Sequence, residues 1–131
     1  MTGLRALAVV LAVAAAAVAT RAGAAAGPAV DFGRCEAAVN QHPERSESFR
    51  CFWEVARAGK AWDEAARRLD AHLARSPGNP RAQLTLAWVE WDRGAGRAES
   101  LFRDAAAGFA AASDANGEVF ARLGLAWFLR R

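Results

Sequence analysis

Tyrosine is absent from the 131 residues, lysine occurs once, as Lys60, and proline four times. Sixteen of the 17 basic residues are therefore arginine, and much of the 53% hydrophobic content is alanine, a bias that fits a GC-rich genome. No run of Lys or Arg exceeds two, so the chain shows no electrostatic footprint for a phosphate backbone and no nucleic-acid partner is expected. The two cysteines, Cys35 and Cys51, are 16 apart and match no metal spacing. There is no G-x-G-x-x-G, Walker A, H-E-x-x-H or C-x2-C, and no Asn-x-Ser/Thr sequon. The only histidines are His42, before a turn proline and expected to be solvated, and His72, expected as a partly buried core residue. Without a base beside a nucleophile and an orienting carboxylate, no enzyme is expected, and no cofactor or metal.

Long hydrophobic runs are also missing. The longest, Ala6–Ala19, has 14 residues, short of the roughly 20 that span a bilayer. With Arg5 ahead of it and small residues offering A-x-A sites after it, the segment 1–26 reads as a cleavable signal peptide. The chain is then exported, to the periplasm or beyond; an uncleaved anchor at 6–19 is the alternative. Without Arg5 and Arg21, 15 basic and 14 acidic side chains remain, a net of +1, so the precursor's basicity says little about partners.

Period-two alternation and β-branched residues are scarce as well, which leaves helix-spaced apolar positions as the main pattern. They run Phe49, Phe52, Trp53, Ala56; Ala65, Leu69, Leu73; Leu86, Ala87, Trp91; Ala98, Leu101, Phe102, Ala105, Phe109; and Phe120, Leu123, Gly124, Trp127. Breaks fall at His42-Pro43, Ala58-Gly59-Lys60, Ser76 to Pro80, Gly94-Ala95-Gly96 and Ser113 to Gly117. The expected fold is all-α, built of short antiparallel helix pairs after a linker at 27–33.

Those pairs repeat. Pro43 and Pro77 are 34 residues apart, and Phe49-x2-Phe52-Trp53 recurs 34 on as Gln83-x2-Leu86-Ala87 and 37 further on as Phe120-x2-Leu123-Gly124. Ala65-x3-Leu69 and Ala98-x3-Phe102 follow the first two of these. A helix–turn–helix period of this length and signature resembles the tetratricopeptide repeat (TPR) family. The resemblance covers residues 34–131, with repeats at about 44–77 and 78–111 and a partial one at 117–131. It departs from the pattern at Trp53 and His72, where small residues are usual.

The resemblance implies a right-handed solenoid of helical hairpins whose first helices line a concave groove. On this register the groove residues are Arg50, Glu54, Arg57, Arg81, Leu84, Trp88, Trp91, Arg122, Leu125 and Phe128. An apolar floor with an arginine rim suits a peptide or amphipathic helix of a partner protein. The alternative for Trp88 and Trp91 is packing against the preceding hairpin. The lysines and asparagines of carboxylate-clamp TPR proteins are missing, so that role is not expected. The register also sets Cys35 and Cys51 on helices that pack directly, making them candidates for a disulfide; two buried thiols are the other reading. Finally, the last helix lacks a partner helix over Leu123 and Trp127. That reads as the leading part of a longer protein, with the fragment a structural spacer, or as a docking face, a homodimer contact included.

Overall fold

The computed structural model describes residues 30–131. The signal peptide at 1–26, the anchor at 6–19 and the first three residues of the linker at 27–33 lie outside the described residues. Six helices make up the rest: α1 (Gly33–Gln41), α2 (Ser46–Gly59), α3 (Trp62–Arg75), α4 (Pro80–Arg93), α5 (Ala98–Ala111) and α6 (Ala115–Leu129). The described residues contain no strand.

Local chemistry sets the ends. Asn79 caps α4 by accepting from the backbone N–H groups of Arg81 and Ala82, and Pro80 occupies the first turn, where it has no intrahelical bond to lose. Asp114 caps α6 by accepting from the Gly117 N–H at 2.9 Å. Gly94 ends α4 in the left-handed region at φ 76°, which glycine adopts freely. The break at Ala58-Gly59-Lys60 works differently. Gly59 stays inside α2 and it is Lys60 that turns left-handed, at φ 52°.

Each helix packs on the next, and α2, α4 and α6 also pack on one another in that order. Phe49, Phe52, Leu69, Leu86 and Phe102 form the fully enclosed centre, and Phe109 anchors a smaller cluster with Ala105, Ala106 and Ala121. Between them lie alanines with no exposed surface, among them Ala56, Ala65, Ala87, Ala98 and Ala105. The alanine content thus has a structural use beyond genome composition, because a methyl side chain lets neighbouring helices come close over a large aromatic ring.

Cys35, at the start of α1, is joined to Cys51 of α2 by a disulfide with a Cα–Cα distance of 5.4 Å. It ties the first helix to the remainder. His72 reinforces the same corner from α3. It is buried, its Nε2 lies 2.8 Å from Glu36 of α1, and its Nδ1 lies 3.2 Å from the Arg75 guanidinium. The ring also stands edge-on to Phe49 and Phe52. The buried histidine is accommodated because both of its ring nitrogens have a partner.

In α6 the apolar positions divide unlike those of α2 and α4. Phe120, Leu123 and Trp127 are 63%, 40% and 49% exposed, whereas Gly117, Ala121 and Gly124 face the interior. Ala121 has no exposed surface. The cause is close approach. A Cβ on Gly124 would stand 2.5 Å from Phe102 and 3.1 Å from Trp88, so only a hydrogen fits there.

Two measurements follow from this packing. Removing the disulfide as Cys35→Ala/Cys51→Ala should lower stability by about 3 kcal/mol in the chain-entropy model for a loop of this length. Thermal melting with and without reductant should show the same loss in the parent chain and none in the double variant. Gly124→Ala overpacks the α5–α6 contact and should destabilise by about 1–3 kcal/mol, read from urea unfolding.

Candidate functional site

The outward side of α2 carries Arg50, Trp53 and Arg57 at helical spacing, and the facing side of α4 carries Leu84, Thr85, Trp88 and Trp91. Where the two helices meet they leave a hollow of about 220 Å³, lined by Arg50, Trp53, Thr85 and Trp88. Its walls are mostly indole, with one guanidinium at the edge.

Both tryptophan walls are held from behind. The Trp53 Nε1–H donates to Asp92 Oδ2 of α4 at 2.6 Å, and its ring packs at a tilt against Trp62 with centroids 6.4 Å apart. Arg57 lies over the Trp53 ring at 5.3 Å. Trp88 stacks on Trp91 at 5.2 Å and meets Phe102 edge-on at 5.1 Å and Trp127 at 6.1 Å. An aromatic side chain fixed on one face and open on the other presents an apolar surface at little further cost in rotamer entropy. Arg50 is exposed and pairs with Glu54 one turn on at 3.1 Å, an interaction weak enough in water to give way to a better carboxylate.

The residues expected in the groove therefore separate. Arg50 and Trp88 line the hollow, Glu54 pairs with Arg50, and Arg57 lies over the Trp53 ring. Leu84 is half-buried against the core. Trp91 turns toward Phe128, 5.7 Å away, and carries Arg131 over its ring at 4.4 Å. Phe128 and Leu125 pack half-buried on the same core. Arg81 sits at the start of α4, where it pairs with Asp114 at 3.4 Å and lies over Phe109 at 5.9 Å. Arg122 pairs with Glu118 along α6 and is exposed. Sequence reasoning missed Trp53 and Thr85 as lining residues. The available signal was Trp53 itself, a half-buried indole where the resemblance leads one to expect a small residue.

A second polar cluster was also missed. Glu90, one turn beyond Leu86, is only 1% exposed. It accepts from Arg93 at 2.9 Å and from Arg97 at 3.3 Å. Arg93 reaches Asp63 at 2.8 Å, and Arg97 makes two bonds to Asp70 at 3.0 and 2.7 Å. Hydrogen bonds from the guanidinium to Asp70 and then to Glu90 push Arg97 above its ordinary pKa and hold it charged. The cluster ties α3, α4 and the start of α5 together, and every carboxylate in it has a cation, the arrangement of a structural brace. At the start of α3, hydrogen bonding to Arg68 holds the Glu64 carboxyl below the usual range against the opposing effect of desolvation, with the charge of Arg67 adding to the lowering.

Among the described residues no three His, Cys, Asp or Glu side chains group so as to hold a metal ion. No described helix is long and apolar enough to cross a membrane. Comparison with known proteins returns no matching family model, curated protein or solved structure.

Glu90→Ala leaves Arg93 and Arg97 facing an empty, largely buried position and should destabilise by about 2 kcal/mol, less than for a fully enclosed pair because both arginines reach water. Chemical unfolding of Glu90→Ala against Glu90→Gln checks this, with the glutamine variant retaining part of the loss.

Proposed function

We propose that this chain is an exported, TPR-like interaction module that holds a peptide or helix of a partner protein against the α2–α4 hollow, with no chemistry of its own. The observation that carries the reading is the hollow itself, two braced indoles with Arg50 at the edge. Its volume suits one large apolar side chain, and Arg50 suits a carboxylate beside it. The order in which α2, α4 and α6 pack on one another supports the repeat assignment, together with the 34-residue interval between Pro43 and Pro77.

Selection from a displayed random-peptide library tests the proposal. Enriched sequences should pair an aromatic or large aliphatic residue with a nearby Asp or Glu. Arg50→Glu should weaken the selected peptides about tenfold or more while leaving the melting temperature in place, since Arg50 is exposed. Peptides that bind the parent and Arg50→Glu equally, or a selection that enriches nothing, would remove the hollow from consideration. Arg50 is the better probe than Trp88, whose removal would also take away contacts to Phe102 and Trp127.

A further inference from the structure

The hollow contains a group that the fold itself does not use. Thr85 is the most buried of its four lining residues, only 6% exposed. The other polar side chains buried to this degree among the described residues are all engaged. Ser48 donates to the His42 carbonyl at 2.9 Å, His72 lies 2.8 Å from Glu36, and Glu90 accepts from Arg93 at 2.9 Å. The Thr85 hydroxyl has no hydrogen-bond partner among the described residues, yet its oxygen is not sealed inside the core, so it opens onto the hollow that Thr85 lines. A nearly buried hydroxyl left unpaired costs stability, and alanine or valine would occupy the same place on α4 without that cost. An occupant of the hollow accounts for it.

From this hydroxyl set between two indoles we infer that the occupant is a tyrosine side chain of the partner peptide, an inference that rests on the peptide-binding reading of the hollow. A phenol joins a flat aromatic body to a polar tip. Its ring packs on Trp53 and Trp88, and its oxygen reaches Thr85, where each hydroxyl can donate to or accept from the other. Phenylalanine or leucine would fill the same space and leave Thr85 unpaired in a site closed to water. The Trp53 Nε1–H does not compete for the phenol, because it is already given to Asp92 at 2.6 Å. Arg50 at the rim then favours an acidic residue beside the tyrosine. The chain has no tyrosine of its own, so the occupant belongs to a different protein and not to a second copy.

The test uses the full-length chain, produced with its own N-terminal segment in an exporting bacterial host, and peptides selected from the displayed random library. Enriched peptides should carry tyrosine at one fixed position. Resynthesised with phenylalanine there, they should bind the parent about tenfold more weakly by calorimetry. Thr85→Val removes the hydroxyl and keeps the branched shape. It should weaken the tyrosine peptides, leave the phenylalanine peptides as they were, and bring the ratio of the two near one. Its melting temperature should hold or rise, because the hydroxyl has no partner to lose. Thr85→Ser should retain the preference.

Equal binding of tyrosine and phenylalanine peptides, both weakened by Arg50→Glu, would overturn tyrosine as the occupant and leave the hollow as a peptide site. A preference that survives Thr85→Val would overturn the part given to its hydroxyl. So would a lowered melting temperature in Thr85→Val, which would show that hydroxyl bonded within the fold. A selection that enriches nothing would overturn both readings. Self-association in sedimentation that Arg50→Glu abolishes would put a second copy in the hollow in place of a tyrosine.

Discussion

Phe102 is where the second half of the molecule is decided. Its ring meets Trp88 and Trp91 of α4 and Phe128 of α6, with centroids between 5.1 and 6.4 Å away, while Gly124 lies directly against its edge. That ring fixes how closely α6 can approach and which residues of α6 face inward. It also fixes how far Trp88 projects from α4. The wall of the hollow and the exposed stripe on α6 thus share one cause, the space a phenyl ring needs between three helices.

The first half is held by other means. The disulfide between Cys35 and Cys51 and the contact from His72 to Glu36 bind α1 to α2 and α3. The ionic brace around Glu90 carries the connection into α4 and α5. A chain of this size has a limited core, and covalent and ionic ties add constraint where apolar area is small. The ties are in the scaffold behind the hollow, leaving Arg50 at the surface with only a local partner.

Helix content and the breaks between helices were legible in the sequence because they depend on local signals: Asn79-Pro80, Gly94 and Asp114 each act within a turn of their own position. The buried stripes at Phe49-Phe52 and Leu86-Ala87 were legible for the same reason. What escaped was set by neighbours. Glu90 reads as a surface carboxylate until Arg93 and Arg97 are seen around it. Phe120 and Leu123 share the spacing of the buried residues of α2, yet they lie outward because Phe102 and Phe109 admit only small residues of α6. Of the groove residues taken from the register, Arg50 and Trp88 meet at the hollow, whereas Arg81 is drawn to Asp114 and Trp91 to Phe128. Spacing assigns a residue to a helix face, and competing partners then decide what that face touches.

The stacked indoles of Trp88 and Trp91, with an interplanar angle of 16°, have an optical consequence. Two transition dipoles this close share their excitation, so the pair absorbs and rotates light as one chromophore. In a protein without tyrosine, near-ultraviolet circular dichroism is dominated by its five tryptophans. The intense indole bands of the stacked pair on α4 couple further to the blue and give a bisignate feature whose sign and amplitude depend on how the two rings are oriented. That feature overlaps the helical signal. A helix content calculated from the far-ultraviolet spectrum alone would be displaced from the true value by the geometry of one aromatic stack.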